Sequence, residues 1–331
     1  MSEIIIPKLG KLFDQYAQIY GCSLSDLEHK LRVFITDFYQ HQTGEVVIPK
    51  VQLDFAFASI KIKTEKGYDI TPIDDEDLIR SLSSYIFNGF WQWMKQRDWE
   101  LHFSEFKQIE KTVIKGRIVD FKGDDVLLAL KSSYLRSEVL ALLPKSEQVR
   151  TENYERGQDL LVYLKEVTKQ EDSEPLLIVS RASVYLVVYL LYCYCSELRE
   201  GNVRIRSVVR ETQFSGLRPR TKIAVDAKDR SIDPVRVIVG DGGERINRVR
   251  EEINGEFIDV VRWYPYFSDY VREALKPGIV EDVVLTDSQS KSLVAYVKDD
   301  GESLSAAIGA KGQNVRLASN LTGFFINIQQ Y

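Results

Sequence analysis

Two tetrapeptides carry the clearest chemistry in this 331-residue chain: Gly240-Asp241-Gly242-Gly243 and Gly309-Ala310-Lys311-Gly312. Each follows apolar residues (Val237-Ile238-Val239, Ala307-Ile308) and leads into a polar-then-apolar run (Glu244-Arg245-Ile246, Gln313-Asn314-Val315). A glycine at each end of such a loop removes the Cβ that would hold another backbone away. A helix starting just after the loop offers unpaired N–H groups and the positive end of its dipole, and a phosphate can sit there. The expected ligand is therefore a phosphate group. In the second loop Lys311 adds a charge-assisted contact. In the first, Asp241 and Gly242 fill the middle, so a carboxylate replaces a cation and phosphate contact is expected to be weaker, partly offset by Arg245 and Arg248. Helix-ending glycine alone would explain one such loop; its recurrence argues against that explanation for two.

The elements that must position these loops repeat as well. Strands are expected at Val203–Val209 and Arg220–Asp226, then a helix capped by Asp233 with Pro234 at its first position, the loop, a helix to Ile253 and a strand at Phe257–Val261. The second copy has a leading helix at Ser268–Leu275, strands at Asp282–Thr286 and Ser292–Val297, a helix at Leu304–Ile308, the loop, a helix at Gln313–Leu321 and a strand at Phe324–Ile328. The two loops lie 69 residues apart, Gly240 to Gly309. An internal repeat of this order resembles a tandem pair of KH modules (type II), whose loops clamp about four nucleotides each.

The upstream half is expected to hold two further domains. Residues 110–181 carry five short strands: Thr112–Val119, Asp125–Leu130 after the turn Lys122-Gly123-Asp124, Val139–Leu143, Asp159–Val167 and Leu176–Ser180. Five strands in so short a stretch suit a closed OB-fold barrel, a shape that binds single strands. Residues 1–109 read as an α/β domain. Leu12, Phe13, Tyr16, Ile19 and Tyr20, and then Leu27, Leu31, Phe34, Ile35 and Phe38, recur at helical spacing, with Ser23 or Ser25 as a cap between them. Alternating strands follow at Val51-x-Leu53-x-Phe55-x-Phe57 and Ile60-x-Ile62, then a long helix from Asp75 to Phe106 carrying Trp91, Trp93 and Trp99 as core or as a partner surface. The fold class is thus α+β multidomain, with boundaries at 1–109, 110–181, 182–265 and 266–331.

Composition bounds the function. The formal net charge of −5 does not favour nucleic acid by itself, but nine Lys/Arg against four Asp/Glu between Arg199 and Arg230 concentrate positive charge locally. The three cysteines, Cys22, Cys193 and Cys195, do not make a disulfide scaffold or a zinc set and fit a reducing cytosol. Val184 to Cys195 is the most apolar stretch; it falls short of the roughly 20 residues a membrane span needs. It reads as a buried helix fixing the barrel against the first KH module. No secretory pattern opens the chain at Met1–Pro7. His29, His41 and His102 have no catalytic spacing, and Asp74-Asp75-Glu76-Asp77 reads as a helix N-terminal charge cluster rather than a metal site. Neither an enzyme, nor a metal, nor a cofactor is expected.

A specific resemblance follows from these residues. Ala141-Leu142-Leu143-Pro144-Lys145-Ser146-Glu147-Gln148 and Ile178-Val179-Ser180-Arg181 look like the barrel signatures of the bacterial NusA family. Arg220-Thr221-Lys222-Ile223-Ala224-Val225, Asp233-Pro234-Val235 and Gly255-Glu256-x-Ile258-Asp259-x-Val261 resemble its first KH module, and Ala274-Leu275-x-Pro277 leads into the second. The closest match is Ala307-Ile308-Gly309-x-Lys311-Gly312-Gln313-Asn314-Val315-Arg316-Leu317-Ala318-Ser319-x-Leu321-Thr322-Gly323. The first hundred or so residues carry no matching motif. The resemblance implies a non-enzymatic cytoplasmic monomer whose first domain rides on RNA polymerase near the RNA exit channel. Its barrel, of the ribosomal-protein S-one type, and its KH pair would hold nascent single-stranded RNA. It would modulate pausing, termination and antitermination together with other Nus-type factors. It also implies RNA contacts by Gly240, Gly242, Gly243, Gly309, Lys311 and Gly312 as loop clamp, with Arg218, Arg220 and Lys222 beside the first loop and Gln313, Asn314 and Arg316 beside the second; Asp241 and Ala310, as the remaining loop positions, are RNA-contact candidates too. Some family members carry C-terminal acidic repeats; this sequence ends at Tyr331 without them.

Overall fold

The computed structural model describes residues 4–331 except 8, 10–12, 14, 16, 19–21, 54–56, 72–74, 134–136, 171–172 and 215, with backbone alone at 4–7, 57 and 58. Leu12, Tyr16, Ile19, Tyr20, Phe55 and Asp74 from the sequence patterns lie outside the described residues. The chain forms two compact units: residues 1–104 with 133–137 and 170–175, and the remainder.

In the first unit, β1 (Ile4–Pro7), β2 (Val47–Leu53) and β3 (Phe57–Thr64) make an antiparallel sheet in the order β1–β3–β2. Helix α1 (Leu24–Thr43) starts at Ser23: its Oγ accepts from the Asp26 N–H, and the Ser23 N–H donates to the Asp26 carboxylate at 3.0 Å, a capping box. Leu27, Leu31, Ile35 and Phe38 form its buried stripe. Helix α2 (Glu76–Gln108) buries Leu82, Ile86, Phe90 and Met94 four residues apart. Within the acidic run Asp75 acts as a cap, its carboxylate accepting the Leu78 N–H at 2.9 Å. The tryptophans divide by helix face: Trp93 packs against the core, while Trp91 is exposed, with Lys95 over its ring.

The second unit begins with the five expected strands, β4 (Val113–Lys122), β5 (Asp125–Lys131), β6 (Glu138–Leu143), β7 (Asp159–Thr168) and β8 (Leu176–Ser180). They close into a barrel in the order β4–β5–β6–β8–β7, with β7 pairing back onto β4. Period-2 alternation fills it: Ile118, Val126, Leu128, Leu130, Val139, Ala141, Leu143, Val162, Leu164, Leu177 and Val179 are buried. Gly116 lets β5 pack close, since a Cβ there would meet Leu130 Cδ2 at 2.7 Å and force that side chain to shift.

Helix α3 (Val184–Tyr194) follows, capped by Ser183 Oγ, and then one turn, α4 (Ser196–Arg199). Helix α3 buries Leu186, Val187, Leu190 and Leu191 in a cluster that takes in Val113 and Leu161 of the barrel and Ile223, Val225, Ile238 and Val249 downstream. Each such side chain contributes about 1.5–3 kcal/mol. The helix is not buried all round, however. Tyr185, Tyr189 and Tyr192 recur at helical spacing on an exposed face, Tyr185 stacking on Tyr163 at 5.2 Å. Their hydroxyls explain why so apolar a segment tolerates water on one side.

The repeat is structural. Strands β9 (Val203–Glu211) and β10 (Arg220–Ala227) are antiparallel, and β11 (Phe257–Arg262) adds parallel to β10; α5 (Pro234–Val239) and α6 (Glu244–Glu252) intervene. After the leading helix α7 (Phe267–Ala274), β12 (Val280–Asp287), β13 (Ser292–Val297) and β14 (Phe325–Gln330) repeat that pairing, with α8 (Glu302–Ile308) and α9 (Gln313–Thr322) between the last two strands. Alternation along β10 sends Ile223 and Val225 into the cluster under α3, α5 and α6. Ala224, with Val261, turns the other way, onto Tyr270, Ala274, Ala318 and Leu321 of the second copy. One sheet thereby serves two cores.

Candidate nucleic-acid interface

The two loops share one backbone conformation. Gly240 has φ 78°, ψ 167°, and Gly309 has φ 71°, ψ 171°; each N–H closes the preceding helix, onto Arg236 O and Ser305 O. The third loop residue is left-handed in both, Gly242 at φ 62° and Lys311 at φ 49°, and so is the fourth, Gly243 at φ 83° and Gly312 at φ 73°. A turn bond, Gly243 N to Gly240 O at 3.1 Å or Gly312 N to Gly309 O at 3.0 Å, fixes each loop. A Cβ on Gly240 would meet the Arg245 N at 2.9 Å, and one on Gly309 the Asn314 N at 2.8 Å, so the first glycine of each loop admits no side chain. The N-cap residues of α6 and α9 are glycines with no side chain to occupy the first N–H groups. Asp241, Gly242, Ala310 and Lys311 are exposed. This arrangement presents helix N-terminal N–H groups and close backbone to an anion, which is the chemistry of phosphate binding.

The surrounding cations behave differently from one another. Arg245 donates to Glu197 at 2.8 Å and to Val237 O at 2.9 Å, tying α6 to α4 and to the end of α5. The Arg245 hydrogen bond holds the Glu197 carboxyl below its usual range, so the pair stays charged. Arg248 is exposed and pairs with Glu244 one turn away.

The residues set beside the first loop by resemblance lie beside the second. Lys222, on the face of β10 turned to the second module, is fully buried; its ammonium donates to Ala274 O at 2.8 Å and Asn314 Oδ1 at 2.7 Å. Asn314 in turn donates to Leu275 O and Ala306 O, both at 3.0 Å, and to Ala307 O. Lys222 and Asn314 are therefore corrected from RNA-contact candidates to a polar bolt between the modules. Arg220 is held by Asp259 in a two-point bond at 2.7 and 2.9 Å. Gln313 donates to Glu211 and to Arg218 O, and Arg316 grips Glu211 at 2.9 Å and reaches Lys311 O. Gln313 and Arg316 thus brace the second loop against the turn between β9 and β10. The local positive charge read from the sequence is partly internal, since Arg206 pairs with Asp226 and Arg210 with Glu256.

Burial lowers the Lys222 ammonium to about 8 from its ordinary 10.5; Asp259 opposes the shift and Arg220 adds to it. Between those values the unfolded chain binds the proton more readily, so stability rises with pH across the window and is flat in this group below about 8. Over the whole window this single group contributes up to about 3 kcal/mol. Urea unfolding at pH 7.5, 8.5 and 9.5 should show a rise in the wild type that Lys222→Met lacks; parallel profiles would exclude the charge.

Two aromatic groups escaped the sequence reading, although arginines interleave with the first of them. Phe214 is exposed, with the Arg316 guanidinium 4.2 Å from its ring centroid. Phe257 is exposed and has three guanidiniums around it, Arg250 at 5.5 Å, Arg218 at 5.7 Å and Arg220 at 5.9 Å. No cluster of His, Cys, Asp and Glu among the described residues is arranged to hold a metal, and none of their helices is long and apolar enough to cross a membrane.

Comparison with known proteins agrees with this architecture. Residues 181–263 match the NusA-like first KH domain, and residues 267–331 the NusA-like second KH domain. The chain is 36% identical to the transcription termination/antitermination protein NusA of Thermus thermophilus over 261 residues, covering 78% of this chain and 63% of that protein. The Bacillus subtilis NusA protein is 34% identical, covering 69% of this chain and 57% of that protein. The Mycobacterium tuberculosis NusA protein is 28% identical over 319 residues, covering 93% and 89%. The chain thus spans less than two thirds of the Thermus and Bacillus proteins. With two matched modules in tandem and relatives in several bacterial lineages, the chain belongs to the NusA family.

Proposed function

We propose that this protein is an RNA-binding transcription elongation factor that joins RNA polymerase and nascent single-stranded RNA to modulate pausing, termination and antitermination. The observation that carries the RNA-binding half is the superposable pair of left-handed loops, each opening an uncapped helix N-terminus. The family names of the relatives support the transcriptional half.

On this reading residues 1–109 dock on polymerase and residues 110–181 form an OB-type barrel of the ribosomal-protein S-one kind. Residues 182–265 and 266–331 are KH modules of type II, in the order helix, strand, strand, helix, helix, strand. The second loop, with Lys311, is the principal clamp; the first, with Asp241 and Gly242, is the weaker. The protein acts without catalysis and without a cofactor, in the cytoplasm, as a monomer, with other Nus-type factors as further partners.

The test uses the full chain. Core RNA polymerase and a labelled single-stranded RNA are each titrated with it, and pause lifetimes are measured on a template with a terminator. Binding to both ligands with altered pausing is the expected result. RNA binding without any polymerase binding would replace this reading with that of a polymerase-independent RNA regulator.

A further inference from the structure

Beside the second loop, the ends of three strands of the first module carry more cation and aromatic surface than packing requires. Glu211, Arg220 and Phe257 sit in register across β9, β10 and β11, so their side chains share one face. Further along that face Lys222 and Ser207 contact the second module through Asn314 and Leu321 O. The Glu211–Arg220–Phe257 end lies past the start of α9, where the second loop opens. The turn between β9 and β10 reaches the same loop. A Cβ on Gly216 would stand 2.7 Å from Lys311 Nζ, and Gln213 donates to Gln148 O and Ser146 O of the barrel.

Charge accounting on this shelf is uneven. Arg220 is neutralised by Asp259, and Arg316 by Glu211. Arg218 and Arg250 have no carboxylate partner among the described residues, yet both lie within 6 Å of one exposed ring, that of Phe257. Gathering unneutralised guanidiniums around a water-exposed aromatic costs electrostatic repulsion unless an anion enters. An aromatic face bordered by cations matches single-stranded nucleic acid, whose bases stack on the ring while its phosphates meet the cations.

We propose that Phe257 and Phe214 are base-stacking platforms, served by Arg218 and Arg250 as phosphate contacts, that extend the grip of the second loop along the RNA. The proposal rests on the RNA-binding reading above and goes beyond it. It assigns recognition to the junction between the modules and to Phe214 and Arg218 between β9 and β10, none of which belongs to a glycine loop. It also gives the strand an anchored course toward the barrel that does not depend on the cation-poor first loop.

The experiment measures anisotropy of the full chain with a fluorescein-labelled adenine-rich 12-mer RNA over a KCl series. A second 12-mer carries 2-aminopurine at each position in turn. Phe257→Leu and Phe214→Leu keep apolar bulk at exposed positions, and circular dichroism checks their fold. Each should weaken binding about five- to a hundredfold, as loss of one stacked base does, and abolish 2-aminopurine quenching at one position. The salt slope should remain that of the wild type. Arg218→Gln should instead flatten the slope by about 0.7. Wild-type affinity and quenching in both leucine variants would overturn the shelf while leaving the loops in place, provided that Ala310→Asp with Lys311→Asp still weakens binding. The same result accompanied by lost capture of core polymerase would assign the shelf to a protein partner and also overturn it. If the wild-type chain binds no single-stranded RNA, the broader reading fails and the shelf with it.

Discussion

Replacing Ala310 and Lys311 by Asp will leave this protein folded and reduce its affinity for single-stranded RNA by about ten- to a hundredfold. Both side chains are exposed, and the left-handed backbone at residue 311 (φ 49°) suits Asp at least as well as Lys. The substitutions remove one cation and place two carboxylates at the mouth of an uncapped helix N-terminus, where a phosphate would otherwise accept N–H bonds. Loss of a charge-assisted hydrogen bond accounts for about 1.5–3 kcal/mol, which is the stated range. The logarithmic salt dependence should become shallower by about 0.7 for each phosphate that the variant no longer engages. Anisotropy titrations at several KCl concentrations measure both quantities. Unchanged affinity and slope in a folded variant would remove the second loop from RNA binding. The reciprocal change is informative in the same assay. Gly242 has nothing within 4 Å of a built Cβ and a φ of 62°, close to that at which Lys311 already sits. Gly242→Lys should therefore strengthen binding and steepen the slope.

The second large effect concerns stability. Glu256→Ala should destabilise the second unit by about 3–5 kcal/mol, because it strands a buried guanidinium. Arg210 and Glu256 have fully buried side chains, and Arg210 holds Glu256 through two nitrogens at 2.7 and 3.0 Å. Thr221 Oγ1 also donates to Glu256, while Arg210 reaches back to Arg181 O at 2.6 Å and Ser183 O at 2.9 Å. Arg181 extends the chain of contacts to Leu161 O in the barrel, to Glu252 O in α6 and to a buried ion pair with Glu152. Removing one charge therefore leaves the join between barrel and first module with unpaired donors. Replacing both partners, Arg210→Met with Glu256→Leu, should recover most of the loss, since it removes the desolvated charges together. Urea unfolding of the three proteins measures this. An effect of Glu256→Ala below about 1 kcal/mol would show that water reaches the pair.

Much of the architecture was legible because its signals are local. Period-2 runs located the barrel strands, Asp233-Pro234 marked the start of α5, and the glycine loops placed the helix pairs to within a residue or two. Long-range pairing was not legible. Lys222 reads as a surface cation in Arg220-Thr221-Lys222, and only the sheet register, which turns alternate residues of β10 toward a second module, reveals it as buried. Asn314 reads as a loop neighbour, yet it satisfies three carbonyls from two segments, Leu275 O after α7 and Ala306 O and Ala307 O in α8. Several residues that carry the family resemblance, Glu256, Lys222, Asn314 and Arg181, thus hold modules together rather than face a ligand. The tyrosine face of α3 was hidden for the opposite reason: tyrosine counts as apolar in a sequence pattern while its hydroxyl tolerates water.

The sheet of the first module has one consequence for how the repeat behaves under stress. Because Ile223 and Val225 belong to one core and Ala224 and Val261 to the other, neither copy can melt without baring a face of its neighbour. The two copies should appear as a single cooperative unit in calorimetry and in hydrogen exchange, protected together and lost together. The boundary proposed near residue 265 would then separate two copies of one structural repeat without separating two independently stable bodies.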